Sequence, residues 1–106
     1  MALNPTDGEF IDLDVAVRNT RRYRAQPGAT AFKAQFFGKD RINALLNEPG
    51  CVGIRIYNSV DALGRKGFVL VGAKADESDL YLEPNQLLAT GPACPPCCAP
   101  GSPLNE

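Results

Sequence analysis

The sequence contains no histidine and no tryptophan. Histidine is the side chain that most often acts as a general base and as a transition-metal ligand, so its absence removes the commonest means of both kinds of chemistry. Also missing are a Walker-type glycine loop, a GxGxxG motif and a GxSxG motif, which are typical of nucleotide-binding proteins and serine hydrolases. These absences predict that the protein is not an enzyme and needs no cofactor.

The net charge is small, and long apolar runs are absent. The formal net charge is −1, which disfavours a nucleic-acid partner for the molecule as a whole. No apolar run reaches the length of a membrane span, and the opening residues "MALNPTDGEF" lack the basic start and apolar stretch of a signal peptide. We therefore expect a cytoplasmic protein with no membrane contact, in which thiols are normally reduced.

The apolar residues that are present predict an α+β fold. Helical spacing of apolar residues extends from Ile11 to Ala25, and a second helical stripe lies within residues 39–50 and ends at Pro49–Gly50. Apolar and polar residues alternate over residues 51–58 and again over residues 68–73, which predicts a hairpin with a long polar connection. Gly53 inside the first of these strands suggests a bulge or a close approach of another backbone.

A third strand is predicted over residues 32–37, because Phe32, Ala34 and Phe36 alternate with polar residues. The resulting architecture is α-β-α-β-β, with two helices packed on a three-stranded, mainly antiparallel sheet. We assign residues 1–90 to this domain and residues 91–106 to a tail rich in cysteine and proline, since its prolines oppose a helix or a central strand.

Four segments together resemble a group of small bacterial proteins. The segments are "FFGKDRINALLNEPGCVGIRIYNS", "FVLVGA", "CPPCC" and "SPLN", and the group shares the order FGK…PGCVGIRIY…LVLVG…CPPxC…PLN. The resemblance covers about residues 36–105. It implies a stand-alone soluble domain with a Cys-Pro-Pro tail, and it supplies no activity, cofactor or catalytic residue.

The strongest chemical signal is the cysteine content of the tail. Cys94 and Cys97 have the Cys-x-x-Cys spacing that lets two sulfurs bind one zinc ion, and Cys98 and Cys51 are the further candidate ligands. A redox disulfide, either Cys94–Cys97 or Cys51 with a tail cysteine, is a second interpretation. The third, which we favour, is a polyproline-like tail that packs on the domain and has little chemistry of its own.

Basic and aromatic residues predict a recognition surface. Residues 18–41 contain seven basic residues and one acidic residue, and Arg18, Arg21 and Arg22 share one face of the first helix. Arg55 and Tyr57 point away from Ile54 and Ile56, and their residue types often anchor interfaces. We expect an interaction or assembly module that binds a protein partner or a second copy of itself. A zinc or redox protein is the alternative, and a nucleic-acid accessory protein using the Arg-rich helix is the third.

Overall fold

The computed structural model of the chain describes residues 3–28 and 31–105. Their contacts form two compact units. Unit 1 consists of residues 3–7 and 37–91, and unit 2 consists of residues 8–28, 31–36 and 92–105. The secondary structure elements follow in the order α1 (Leu13–Arg24), β1 (Ala34–Gln35), α2 (Lys39–Leu46), β2 (Gly53–Val60), β3 (Lys66–Ala73), β4 (Leu87–Leu88) and β5 (Ala93–Cys94).

Unit 1 contains the predicted helix and hairpin. Strands β2, β3 and β4 form an antiparallel sheet in that order, and α2 contacts all three strands. Helix α2 has Asp40 in its first turn, where a negative charge suits the helix dipole, and its C-cap is Asn47. The chain leaves the helix through Gly50 at φ +85°, a left-handed conformation that glycine adopts without steric cost. The α+β class, the two helices and the three-stranded antiparallel sheet are confirmed.

The buried side chains of unit 1 come mainly from α2 and from both faces of β3. Leu45 of α2 and Val71 of β3 are each 1% exposed, and Leu70 and Ala73 are also buried. Full burial of an aliphatic side chain stabilises a fold by about 1.5–3 kcal/mol, so Leu45 and Val71 are the main apolar anchors of this unit.

The connection between β2 and β3 is shorter than the sequence predicted. The first strand continues to Val60 and the second begins at Lys66, so that residues 59–60 and 66–67 also belong to the ladder. Asp61 explains the tight turn, because its Oδ1 accepts hydrogen bonds from the backbone N–H groups of Leu63 and Arg65, both at 2.9 Å. Its Oδ2 accepts a third from Arg65 Nε at 2.8 Å. The polar residues between the strands therefore predicted a long loop, whereas the Asp61 side chain stabilises a short turn.

The start of β2 has the irregularity that Gly53 suggested. Gly53 is in register with Ala73, yet the N–H of the preceding Val52 also donates to the Ala73 carbonyl, at 2.9 Å. Two consecutive residues therefore face one residue of β3, as in a β-bulge.

Unit 2 corrects the predicted third strand. β1 pairs antiparallel with β5, with Ala34 opposite Cys94, while β4 is the third strand of the main sheet. Hydrogen bonds from Lys33 N to Cys94 O (2.7 Å) and from Phe36 N to Pro92 O (2.8 Å) extend the pairing. Phe36 is 64% exposed, so the alternation of phenylalanines did not mark a core strand. Leu87 and Leu88 of β4 instead pair with the buried part of β3.

Helix α1 also lies in unit 2 and has no buried residue. Arg24 Nη1 donates to the Leu104 carbonyl, which ties the end of the helix to the last residues of the tail. In the part of the chain that the structure describes, no helix has the length and apolar character needed to cross a membrane.

Candidate interaction surface and cysteine cluster

Arg55 and Tyr57 of β2 both bind Asp79. Arg55 Nη1 forms an ion pair with Asp79 Oδ1, and the Tyr57 hydroxyl donates to Asp79 Oδ2. Arg55 Nη1 also donates to the Glu77 carbonyl at 2.9 Å. One carboxylate is therefore shared between two neighbouring side chains on the same face of β2.

The turn after β3 places Asp79 within reach. Asp76 Oδ1 accepts hydrogen bonds from the backbone N–H and the hydroxyl of Ser78, at 3.0 and 2.6 Å, and these bonds hold the pKa of Asp76 below its usual value. The chain then returns antiparallel to β3, with Asp79 opposite Ala73 and Leu80 N bonded to Gly72 O at 2.8 Å. Asp79 thus lies across β3 from Arg55.

The shared carboxylate changes the acid–base properties of both partners. Its hydrogen bond is the largest cause of the raised pKa of the Arg55 guanidinium and of the raised pKa of the Tyr57 phenol. The cation of Arg55 stays charged and the phenol of Tyr57 stays neutral, because each of these forms donates to Asp79.

Arg55 and Tyr57 were predicted as exposed contacts, and the structure places them together on one face of the sheet. Their binding partner Asp79 was missed, because its acidic stretch resembles ordinary solvated surface. Tyr57 remains 46% exposed and the Arg55 side chain 31% exposed. Arg55 and Tyr57 therefore bind Asp79 within the chain and still have exposed surface that another molecule can contact.

The outer edge of β2 has backbone groups that no other described residue pairs with. Asp61 N donates to Arg65 O at 2.9 Å, so odd-numbered residues of β2 point their backbone groups toward β3. Backbone groups alternate along an antiparallel strand, and those of the even-numbered residues therefore point outward. No hydrogen bond between described residues occupies the outward N–H and C=O groups, which belong to Ile54, Ile56, Asn58 and Val60.

Two large apolar side chains lie along this edge. Ile56 is 60% exposed and Val60 is 66% exposed, although both occupy a regular eight-residue strand. A sheet edge that combines exposed apolar side chains with unpaired backbone groups can pair with a strand of another molecule.

An open cavity of about 430 Å³ lies beside the beginning of β2. It is lined on one side by Leu3, Pro5 and Asp7 and on the other by residues 52–56. The segment 3–7 therefore shares this cavity with the strand as far as Ile56, whereas residues 57–60 do not line it.

The arginines of α1 lie on the surface of unit 2. Arg18, Arg21 and Arg22 are exposed, and Arg22 Nη1 donates to Asn19 Oδ1 at 3.0 Å. These residues belong to unit 2, whereas Arg55 and Tyr57 belong to unit 1.

Cysteine pairing in the tail differs from both pairs considered from the sequence. Cys94 and Cys98 form a disulfide with a Cα–Cα distance of 4.7 Å, whereas Cys97 is free and exposed. The Cys97 N–H donates to the Ala93 carbonyl at 2.9 Å, which closes the turn that brings Cys98 back to Cys94. Cys51 is free in unit 1, where its sulfur donates to the Gly53 carbonyl at 3.2 Å.

The tail sulfurs line an open cavity of about 740 Å³ within unit 2. Cys94, Cys97 and Cys98 share its wall with Phe36 and Leu104, so the surroundings are largely apolar. Across residues 3–28 and 31–105, no three or more Cys, Asp or Glu side chains are grouped to hold a metal ion. Of the predicted set, Cys51 belongs to unit 1, whereas Cys94, Cys97 and Cys98 belong to unit 2.

Compared with protein families, with curated proteins and with solved structures, the chain shows no match.

Proposed function

We propose that the protein is a non-catalytic assembly module that associates with a second copy of itself by adding a strand to the outer edge of β2. The observation that carries the proposal is the row of outward backbone groups from Ile54 to Val60, which form no hydrogen bond with any residue in the ranges 3–28 and 31–105. Strand addition satisfies such groups with main-chain hydrogen bonds, while neighbouring side chains determine which strand is accepted.

The composition of this edge supports association. Exposed edge strands are usually protected by lysine, proline or an inward-pointing charge. Residues 53–60 of β2 include no lysine and no proline, and Asp79 already neutralises Arg55, the one charged residue of the strand. The edge therefore offers little repulsion to a second strand.

A second copy fits the edge because β2 itself has the required properties. It is extended over eight residues, and it supplies the exposed Ile56 and Val60 that the other copy would cover. Pairing of two short strands covers less than the roughly 1,200 Å² of a stable interface, so the association is weak and depends on concentration. The proposal includes a cytoplasmic location and requires no cofactor.

The test uses two substitutions of Asn58, whose N–H points outward. Asn58→Pro removes that N–H and leaves the bonds to β3 in place, and proline is tolerated on edge strands. Asn58→Ala shortens the side chain and keeps the N–H. Sedimentation equilibrium from about 10 μM to 1 mM should show self-association of the wild type and of Asn58→Ala, and a monomer for Asn58→Pro. A monomeric wild type at 1 mM, or equal association of both variants, contradicts the proposal.

A protein partner for the basic helix is a second element of the same proposal. Arg18, Arg21 and Arg22 suit an acidic protein surface, whereas nucleic-acid binding would weaken steeply with salt. Binding of the wild type and of a triple Arg→Gln variant to poly-glutamate, compared with binding to single-stranded RNA at two salt concentrations, separates these partners. Stronger, salt-sensitive binding to RNA would favour the nucleic-acid alternative.

A thiol-based function is the second candidate, and the position of Cys97 favours it. An exposed thiol adjacent in sequence to the Cys94–Cys98 disulfide is placed for thiol–disulfide exchange. Attack of the Cys97 thiolate on Cys94 Sγ would form a Cys94–Cys97 bond and release the Cys98 thiolate. Peptide mapping of the disulfides after incubation in a glutathione buffer tests this, since a mixture of the two pairings is expected only if exchange occurs.

A further inference from the structure

We infer that the two copies pair antiparallel with Asn58 opposite Asn58, so that Ile56 of each copy faces Val60 of the other. This inference rests on the proposed strand addition and specifies its register. Only even-numbered residues of β2 present backbone groups outward, and the hydrogen-bonded pairs between copies must therefore join even-numbered residues.

The segment 3–7 limits which registers are open. It shares a cavity with residues 52–56, which include Ile56, so a second strand has free access mainly to the half of β2 that carries Asn58 and Val60. A register centred on Ile56 would place the second copy along the bordered half of the strand. A register centred on Asn58 uses the open half.

Side-chain matching favours the same register. Centred on Asn58, the pairing places the 60% exposed Ile56 opposite the 66% exposed Val60 of the second copy, twice by symmetry. Centred on Tyr57, the pairing would put Ile56 opposite the polar Asn58. Apolar cross-strand pairs stabilise a sheet, so the Asn58 register covers the most apolar surface.

Charges on the other face agree with this choice. In the Asn58 register, Arg55 lies opposite Asp61 of the second copy, at a position where side chains of an antiparallel pair come closest. Within each copy Arg55 is paired with Asp79 and Asp61 with Arg65, so this position joins two neutralised ion pairs, and the next pair on that face joins Tyr57 to Ser59 of the second copy.

The register also brings a turn of the second copy to the cavity beside β2. Residues beyond Asp61 of the second copy come next to Gly53 and Ile54, which line that cavity with Leu3 and Pro5. The turn carries Leu63, an apolar side chain that is 77% exposed. The turn of the second copy then lies next to this cavity, and we expect the exposed Leu63 to contact it.

The test is a pair of double variants that differ at one position. Ile56→Lys with Val60→Glu places opposite charges face to face between copies, twice. Ile56→Glu with Val60→Glu places like charges there, with the same loss of apolar surface. Val60→Glu in both variants faces Lys66 within its own chain, so the intrachain environment stays favourable. Sedimentation equilibrium should give a dissociation constant about tenfold or more lower for the opposite-charge variant.

The outcomes separate the register from the proposed function. Association of the wild type with equally weak association of both double variants would overturn the register and leave strand addition standing. A monomeric wild type would overturn both. Leu63→Ala gives an independent reading of the cavity contact: it should weaken association several-fold, with no change in circular dichroism because the side chain is exposed in the monomer. Unchanged association of that variant contradicts the contact.

Discussion

Arg55 forms an ion pair with Asp79, 24 positions further along the chain, and the pair crosses β3. Tyr57 donates to the other oxygen of the same carboxylate. The turn that follows β3 is thereby attached to β2, although the two segments are not adjacent strands. The stability of this turn and the ionisation of Tyr57 should therefore both depend on Asp79.

Removal of the shared carboxylate should loosen the turn after β3. Asp79→Ala deletes the acceptor for both Arg55 and Tyr57, whereas Tyr57→Phe deletes one donor and keeps the ion pair. We expect both variants to lower the melting temperature, Asp79→Ala by several degrees and Tyr57→Phe by less. Thermal unfolding followed by circular dichroism measures this. Equal melting temperatures for Asp79→Ala and the wild type would show that the bonds from Arg55 and Tyr57 to Asp79 contribute nothing to thermal stability.

Ionisation of Tyr57 should be delayed to high pH. Its pKa is raised by the hydrogen bond to Asp79, so the stabilisation is complete below the ordinary tyrosine pKa and is lost as pH rises through the higher folded-state value. An absorbance titration of phenolate should show a late component that Tyr57→Phe removes. In Asp79→Asn the same component should move to lower pH. A late component that persists in Tyr57→Phe contradicts the assignment.

The turn between β2 and β3 should weaken in acid. The backbone N–H and side chain of Arg65 lower the pKa of Asp61, so its contribution is present above the unfolded-state pKa and is lost as pH falls through the lower folded value. In Asp61→Asn the free energy of unfolding should therefore fall less as the pH is lowered. Asp7→Asn, in which the carboxylate lies outside the hairpin, serves as the control and should leave the amide signals of Leu63 and Arg65 unchanged.

Gly72 should not tolerate a larger residue. An added Cβ would lie 3.0 Å from Cys51 Sγ, 3.1 Å from Glu48 Oε1 and 3.3 Å from Leu80 Cδ1. We expect Gly72→Ala to destabilise the protein by about 1–3 kcal/mol, the usual cost of overpacking. Gly53→Ala is the matched control, because a Cβ at Gly53 meets nothing within 4 Å. Denaturant unfolding of the two variants gives the difference, and equal stabilities would contradict the close packing.

The cysteines should give two reactive thiols in denatured, unreduced protein, because Cys51 and Cys97 are free while Cys94 and Cys98 are joined. Cys97→Ser should lower the count to one. In Cys98→Ser no disulfide is left to exchange, so Cys94 and Cys97 can pair only by oxidation, for example by glutathione disulfide; the variant should give one thiol where that oxidation occurs and three where it does not. Four thiols in the wild type would show that the tail is reduced.

Local sequence patterns predicted the individual helices and strands, but they did not predict contacts between residues that are far apart in the sequence. The alternation over residues 51–58 and 68–73 identified the hairpin because each strand carries its own period. Nothing near Phe36 indicates that its strand pairs with residues 92–94. The role of Asp79 was equally hidden, since it depends on a turn that brings an acidic residue back to β3. Side chains that act at long sequence separation leave no periodic signal.

The pairing of β1 with β5 has a consequence for synthesis on the ribosome. Unit 1 occupies residues 37–91, between the two halves of unit 2, apart from the short segment 3–7. The hairpin of unit 1 can therefore form while residues 92–105 are still untranslated, because its contacts are local in sequence. Helix α1 and β1 are synthesised first, but unit 2 cannot be completed until β5 has been synthesised and can pair with β1. Unit 1 is thus expected to fold before unit 2 during translation, and the earliest residues of unit 2 are the last to find their partners.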